Sequence, residues 1–260
     1  MYLSKKHLYL MVLCFLLNTQ PVLAADFAII TPYCGVEDNT YSNKEYGLEM
    51  TDSQPTKGLY FQSIDTEKFQ WNLFVYRTED INYSNLAGVN FMFDRYFGAG
   101  AKIKNLIGLG TNYLWMDPAE ETIPANFQLE QEIFSLYLRI GRKYDYNPGG
   151  VNCSFLPWIG GQLDQTRGTV DPPGPNAFKT DDDQCSWIAG INLKADFHNF
   201  LQLEAKHSIA HNKHDTLNKS SAMANLFFTK NLGLSYRYNY QQTTAGKDSY
   251  QLLGLAMLFN

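Results

Sequence analysis

The sequence predicts an all-β chain, an antiparallel transmembrane β-barrel of about twelve strands, with ten or fourteen strands as the alternatives. Three observations carry that expectation. First, near the chain end Leu232, Leu234, Tyr236, Tyr238 and Tyr240 share one strand face, while Gly233, Ser235, Arg237, Asn239 and Gln241 share the other. Successive side chains of a strand point to opposite faces, so one surface is apolar and aromatic and the other polar and wettable. Second, this alternation recurs along the chain behind an export signal. Third, aromatic residues make up 15% of the chain, with 17 Tyr and 17 Phe, as suits aromatic girdles at the two membrane interfaces.

The elements follow in chain order. Lys5, Lys6 and His7 form a basic n-region, Leu8 to Leu17 an apolar h-region, and Val22, Leu23 and Ala24 a cleavage site. That apolar run is shorter than the roughly 20 residues a spanning helix needs, so residues 1–24 read as a cleaved signal peptide with Ala25 as the first mature residue. No cysteine stands at the cleavage point, which argues against a lipoprotein. Residues 25–43 are an N-terminal segment or a first strand, because ADFAIITPYCGV at 26–37 also alternates. If it is a strand, 38–56 becomes a loop or an extended outer hairpin. The barrel proper is placed at 44–260, with strands at 44–53, 57–65, 67–77, 84–95, 101–116, 129–145, 151–164, 184–196, 199–212, 218–228, 231–242 and 249–259.

Between these strands, tight turns at 65–67, 95–100, 147–150, 197–198 and 229–230 alternate with longer connections at 77–84, 117–128, 165–183, 212–217 and 243–248. A barrel with both termini in the periplasm has an even strand number, short periplasmic turns and longer outer loops. The longest connection carries TRGTVDPPGPNAFKTDDD, whose Pro, Gly and Asp are turn residues. Strand 129–145 sends Phe134, Leu136, Leu138 and Ile140 one way and Ser135, Tyr137, Arg139 and Lys143 the other. Strand 67–77 sends Phe69, Trp71, Leu73 and Val75 toward lipid. Mean hydropathy is only −0.30, as it is when every second residue faces lipid.

The chain end, with Leu253, Leu255, Met257 and Phe259 at every second position, resembles the C-terminal signature of Gram-negative outer-membrane barrels. Asn260 departs from it by displacing the aromatic from the last position. The resemblance, which covers the layout of the whole mature chain, implies a cell outer-membrane location, outer-membrane lipid as the surroundings, and the barrel-assembly machinery as a partner. A periplasmic or surface protein partner is left open. The net charge of −5 argues against nucleic acid, and no 20–50-residue period suggests a solenoid or propeller.

Chemistry at the residues is sparse. Outer-membrane lipid hydrolases carry a His-x-Ser pair on one strand face, but here Ser208 directly follows His207 and so faces the opposite way, and position 209 is Ile209. His207 and His211 share a face about 13 Å apart, too far to chelate one zinc ion. A metal site of His211, His214 and Asp215 across the loop is the alternative to a solvated loop there. Cys34, Cys153 and Cys185 show no CxxC or CxxCH motif, and a strand length separates Cys153 from Cys185, so no disulfide joins those two. Asp181 to Asp183, with Asp171 and Glu120 or Glu121, read as a solvated loop run, with divalent-cation binding on the outer loops as the alternative. The glycines of GLGTN and WIGGQ lie inside strands and mark close packing, with no phosphate loop. No catalytic residue, metal ligand or cofactor is therefore expected. Function falls to the lumen, where parity places Arg139, Lys143, Lys194, Glu204, Lys206 and Arg237 among Asn72, Asn90, Asn192, Asn239, Gln162, Gln202 and Gln241. Small barrels are filled by side chains and large ones hold a channel, and twelve strands lie between. The expectation is a narrow, porin-like channel for small polar or anionic solutes. A structural or partner-docking barrel is the alternative, and an outer-leaflet lipid hydrolase a second one.

Overall fold

The computed structural model describes residues 28–43, 48–63, 68–79, 84–98, 100, 102–118, 128–171, 178–198, 200–213, 215–243 and 246–259. Twelve antiparallel strands close into one barrel in sequential order. They are β1 (Ala28–Asn43), β2 (Leu48–Ser63), β3 (Phe69–Glu79), β4 (Ser84–Phe97), β5 (Ile103–Pro118), β6 (Gln128–Tyr146), β7 (Asn152–Asp171), β8 (Phe178–Phe197), β9 (Leu201–His211), β10 (Thr216–Phe227), β11 (Leu232–Gln242) and β12 (Gly246–Phe259). β1 closes the ring by pairing with both β2 and β12, so that Ile29 stands opposite Gln62 on one side and Leu258 on the other. Closure leaves no unpaired sheet edge, the condition for a β-structure in lipid.

Strand alternation sorts the side chains as the sequence predicts. Leu138, Ile140, Leu234 and Tyr236 point outward and are exposed, together with Ile107, Ile159, Leu253 and Leu255. Their partners at the alternate positions, Arg139, Ser235, Leu252 and Ala256, are buried inside. Phe97, Tyr146, Phe197, Phe200, Phe228 and Phe259 ring the end that holds the chain termini. Tyr113, Trp115 and Trp187 stand toward the other end. These are the two girdles, and the apolar band lies between them. Cysteines placed at Leu138, Ile140 and Leu234 should stay unlabelled by a water-soluble maleimide in intact membranes. Ready labelling of all three would reject this facing.

Several boundaries differ from the sequence expectation. The first strand is β1, which takes in the alternating run at 26–37 from Ala28 onward. The expected strands 44–53 and 57–65 are one strand, β2, and Pro55 sits inside it opposite Val36. Pro55 is accommodated because the β2–β3 ladder begins only at Thr56, so its missing N–H leaves no bond unmade on that side. The expected loop 165–183 is mostly paired strand: β7 and β8 are 20 residues each, and Arg167 lies opposite Asp181. Only 172–177 lies outside the described residues. A tilted strand crosses the bilayer in about 9–11 residues, so this hairpin projects well past it. The strands likewise extend into the expected loops 117–128 and 243–248, with β5 reaching Pro118, β6 starting at Gln128 and β12 at Gly246. The turns at the termini end are tight. Gly149 (φ 61°) and Gly150 (φ 88°) adopt the left-handed backbone of the NPGG turn, and His198 (φ 51°) does so without being glycine. The expected turn at 65–67 and the signal at 1–24 lie outside the described residues.

Candidate functional site: the barrel lumen

The lumen is filled unevenly. On the β1–β6 side, aromatic side chains stack across it. Tyr33, Tyr60, Phe74 and Leu252 form one buried cluster, against which Tyr76, Met223 and Tyr250 pack. Phe74 and Tyr76 stack with centroids 5.1 Å apart, and Tyr250 lies 6.3 Å from Phe74. Tyr96, Leu106, Leu156, Trp158 and Ile188 form a second cluster, and Ile29, Phe227 and Ala256 a third near the termini end. Glycines make room for the rings: a Cβ at Gly110 would fall 1.9 Å from Tyr137 Cζ, and one at Gly88 2.5 Å from Tyr76 Cζ. Aromatic rings covering strand glycines in this way help hold register.

Each predicted lumen cation has a definite setting. Arg139, 2% exposed, donates from Nε to Asp94 Oδ1 at 3.1 Å and from Nη2 to Asp94 Oδ2 at 2.5 Å. Its guanidinium also lies 5.0 Å from the Trp158 ring. Asp94 is on β4 and Arg139 on β6. They meet over Gly108 of β5, which stands in register with both and whose Cβ would fall 2.4 Å from Asp94 Oδ1. Lys143 Nζ lies 3.3 Å from Asp145 Oδ1 and 5.0 Å from the Tyr96 ring centre. Lys206 forms an ion pair with Glu204, and Lys194 stands in register with Glu204 on β8. Arg237 lies 4.5 Å over Tyr60 and 4.6 Å over Phe74, cation–π contacts from one wall to the other.

Polar groups then cross the bore. Gln62 Nε2 donates to Glu204 Oε2 at 3.5 Å, although β1, β12, β11 and β10 separate their strands. The Tyr33 hydroxyl and Ser235 Oγ are 2.5 Å apart, Ser235 Oγ donates to Asn225 Oδ1 at 2.6 Å, and Asn225 Nδ2 reaches Gln202 Oε1 at 3.4 Å. On the β8–β11 wall, by contrast, Asn192, Lys194, Gln202, Lys206, Asn239 and Gln241 are only half-buried. Sequence reasoning placed Glu204 but missed other lumen acids: Asp94 shares the parity of Asn90, so its inward place was readable. Glu37, which accepts from Thr78 Oγ1 at 2.5 Å, lay in a segment without an assigned strand.

The remaining candidates scatter. Cys34, Cys153 and Cys185 are free thiols, and Cys153 pairs with Ala195 while Cys185 pairs with Leu163. Asp181 and Arg167 form an exposed ion pair. His214 lies outside the described residues.

No family model matches the chain, and no curated protein matches it either. Solved structures do. The translocator domain of the autotransporter NalP from Neisseria meningitidis is 12% identical over 96% of this chain and 95% of that one, with a TM-score of 0.53. The transport unit of the autotransporter AIDA-I from Escherichia coli is 11% identical over 89% and 90%, with a TM-score of 0.57. The β domain of the Bordetella autotransporter BrkA is 11% identical over 90% and 100%, with a TM-score of 0.50. At such identities the likeness is one of fold. Fold and neighbours together define the class: the chain has the closed twelve-stranded fold of outer-membrane β-barrels.

Proposed function

We propose that the barrel is a narrow passage for small polar solutes, running along the β8–β11 wall. The observation that carries this reading is the uneven lumen, with rings packed on one side and, on β8–β11, a half-buried polar stretch between the packed Ile188 and Ala210 above and Phe227 below. On β11 of this wall, Arg237 Nη1 and Asn239 Nδ2 are buried without a hydrogen-bonding partner among the described residues. Buried polar groups are ordinarily satisfied by protein or water, so this strip suits water and hydrogen-bonding solutes. Along it Lys194, Lys206, Lys219 and Arg237 outnumber Asp196 and Glu204, which favours anions. Arg139 and Lys143, also expected to select solutes, sit in the packed half against carboxylates and act there as packing groups. The Gln62–Glu204 bridge sets the bore and argues against passage of a folded or extended polypeptide. The outward row Leu253, Leu255, Met257 and Phe259 at the seam supports recognition by the barrel-assembly machinery, as the terminal pattern implies.

In a planar bilayer the protein should give small unitary conductances with an anion preference. The pair Lys194→Gln and Arg237→Gln should lower that preference in a salt-gradient reversal potential, and Gln62→Ala should raise conductance roughly twofold by opening the bridge. An absence of unitary events in both the parent and Gln62→Ala would instead assign the barrel a structural or docking role.

A further inference from the structure

On the lipid-facing surface, two features adjoin that the lumen does not use. The first is a polar pair. His207 of β9 and Ser220 of β10 stand directly opposite each other, with His207 Nδ1 and Ser220 Oγ 2.9 Å apart on the exposed face. The second is an open apolar hollow of about 510 Å³, whose lining includes Ala205, Ala222, Ala224, Leu193, Phe155 and Tyr236. Its Ala205–Ala222 pair is the next outward-facing step below His207–Ser220 in the same ladder. The hollow therefore runs up to the pair.

The level of the pair is set by β10. Its outward residues run Leu226, Ala224, Ala222 and then Ser220, Asn218 and Thr216, with Phe228 just below. The change from apolar to polar falls at Ser220. The ladders set Ser220 level with Tyr240 and Ser249, and β12 makes the same change one outward step lower, between Leu253 and Gln251. Ser220 thus sits at the upper edge of the apolar band. At that depth a lipid's ester carbonyls lie, with acyl chains below them. The His211–Trp187 contact, with centroids 5.7 Å apart, lies above it at the interface.

We propose that His207 and Ser220 form an ester-cleaving dyad acting on outer-leaflet glycerophospholipid, one acyl chain of which lies in the alanine-floored hollow. A hydroxyl within hydrogen-bond reach of an imidazole is an activated nucleophile in waiting. Ser220 Oγ attacks the ester carbonyl carbon while His207 Nδ1 takes the hydroxyl proton. The tetrahedral adduct collapses, the lysolipid alkoxide leaves, and His207 returns the proton to it. Water then attacks the acyl-Ser220 ester, giving its proton to His207. The fatty acid departs and Ser220 regains its hydrogen. Small side chains at 205, 222 and 224 leave the space the chain needs, and because the chain is already in hydrocarbon before it enters, its seating there rests on shape and van der Waals packing. The rim above is mixed in charge, with Asp182 and Asp183 exposed on β8 and Lys213 exposed in the β9–β10 turn, which suits a zwitterionic headgroup. The sequence contains the histidine but hides the serine: the partner is on the next strand, thirteen residues away, rather than two along the same one.

The test uses the full-length barrel reconstituted in phosphatidylethanolamine vesicles with labelled acyl chains, and separately with lipopolysaccharide. Fatty-acid release from the phospholipid is expected, together with labelling of Ser220 by a long-chain fluorophosphonate located by mass spectrometry. Ser220→Ala and His207→Ala should each reduce release at least a hundredfold while keeping heat-modifiable migration. Ala222→Leu, which fills the hollow, should raise KM more than it lowers kcat. Release confined to lipopolysaccharide would overturn the choice of lipid. Release that survives Ser220→Ala, or no release and no Ser220 labelling by a correctly folded barrel, would overturn the dyad.

Discussion

Replacing Asp94 with alanine is expected to destabilise the barrel by about 3–5 kcal/mol, because it strands a buried guanidinium without its counter-charge. Asp94 and Arg139 are 4% and 2% exposed and share a two-point ion pair over Gly108. Asp94→Asn should help little, since an amide supplies no charge. Removing both partners together is a different perturbation, since an apolar pair of similar volume carries no uncompensated charge. Asp94→Ala combined with Arg139→Met should therefore recover most of the loss. Urea unfolding in detergent, followed by tryptophan fluorescence and by heat-modifiable migration, measures both. An Asp94→Ala barrel with the parent's midpoint would show that the pair contributes nothing.

Gly35→Ala is expected to be the other severe change. Gly35 lies on β1 between Leu252 of β12 and Thr56 of β2. A methyl there would meet the backbone carbonyl oxygen of Gln251 at 1.8 Å and the Leu252 Cα at 2.9 Å. Leu252 and Thr56 are themselves fully or almost fully buried, so no side chain can yield. Overpacking ordinarily costs about 1–3 kcal/mol, and here the obstacle is the strand that closes the ring, so the cost should lie at or above that range. The variant should accumulate as a form that a protease digests and that does not shift on heating. Normal migration and protease resistance would show that β12 moves aside freely.

What the sequence revealed, and what it withheld, follows from how local each determinant is. Lipid-facing positions such as Leu138, Ile140 and Leu234 were legible because alternation is a property of one strand. Strand 28–43 was ambiguous because Pro32 interrupts a pattern that otherwise alternates, and a proline inside a strand argues against it. Pro55 split β2 for the same reason. The extended hairpin of β7 and β8 was read as loop because its outer part is rich in Pro, Gly and Asp, which are turn residues, and lacks an apolar residue at every second position. In the lumen, parity placed Arg139, Lys194, Glu204 and Arg237 on the inner surface. It could not place Asp94 against Arg139, or Gln62 against Glu204, because those meetings depend on register across strands and on glycines that let side chains pass. His207 and Ser220 were hidden for that reason too.

The β1–β12 seam has a kinetic consequence. Ile29 meets Leu258, and Glu37 meets Tyr250, so the ladder that completes the ring joins the most distant parts of the chain. Every other ladder joins neighbouring hairpins, and these can form locally and early. Folding should accordingly stall late, as an open, curled sheet with both edges bare, because pairing the ends carries the largest loop-closure entropy. Such an intermediate exposes two rows of unmet amides along with its apolar face, the combination most prone to aggregate. For this chain the hazardous moment in biogenesis is the last one, and a helper that shields or templates the two bare edges would accelerate maturation more than any gain in the stability of the finished barrel.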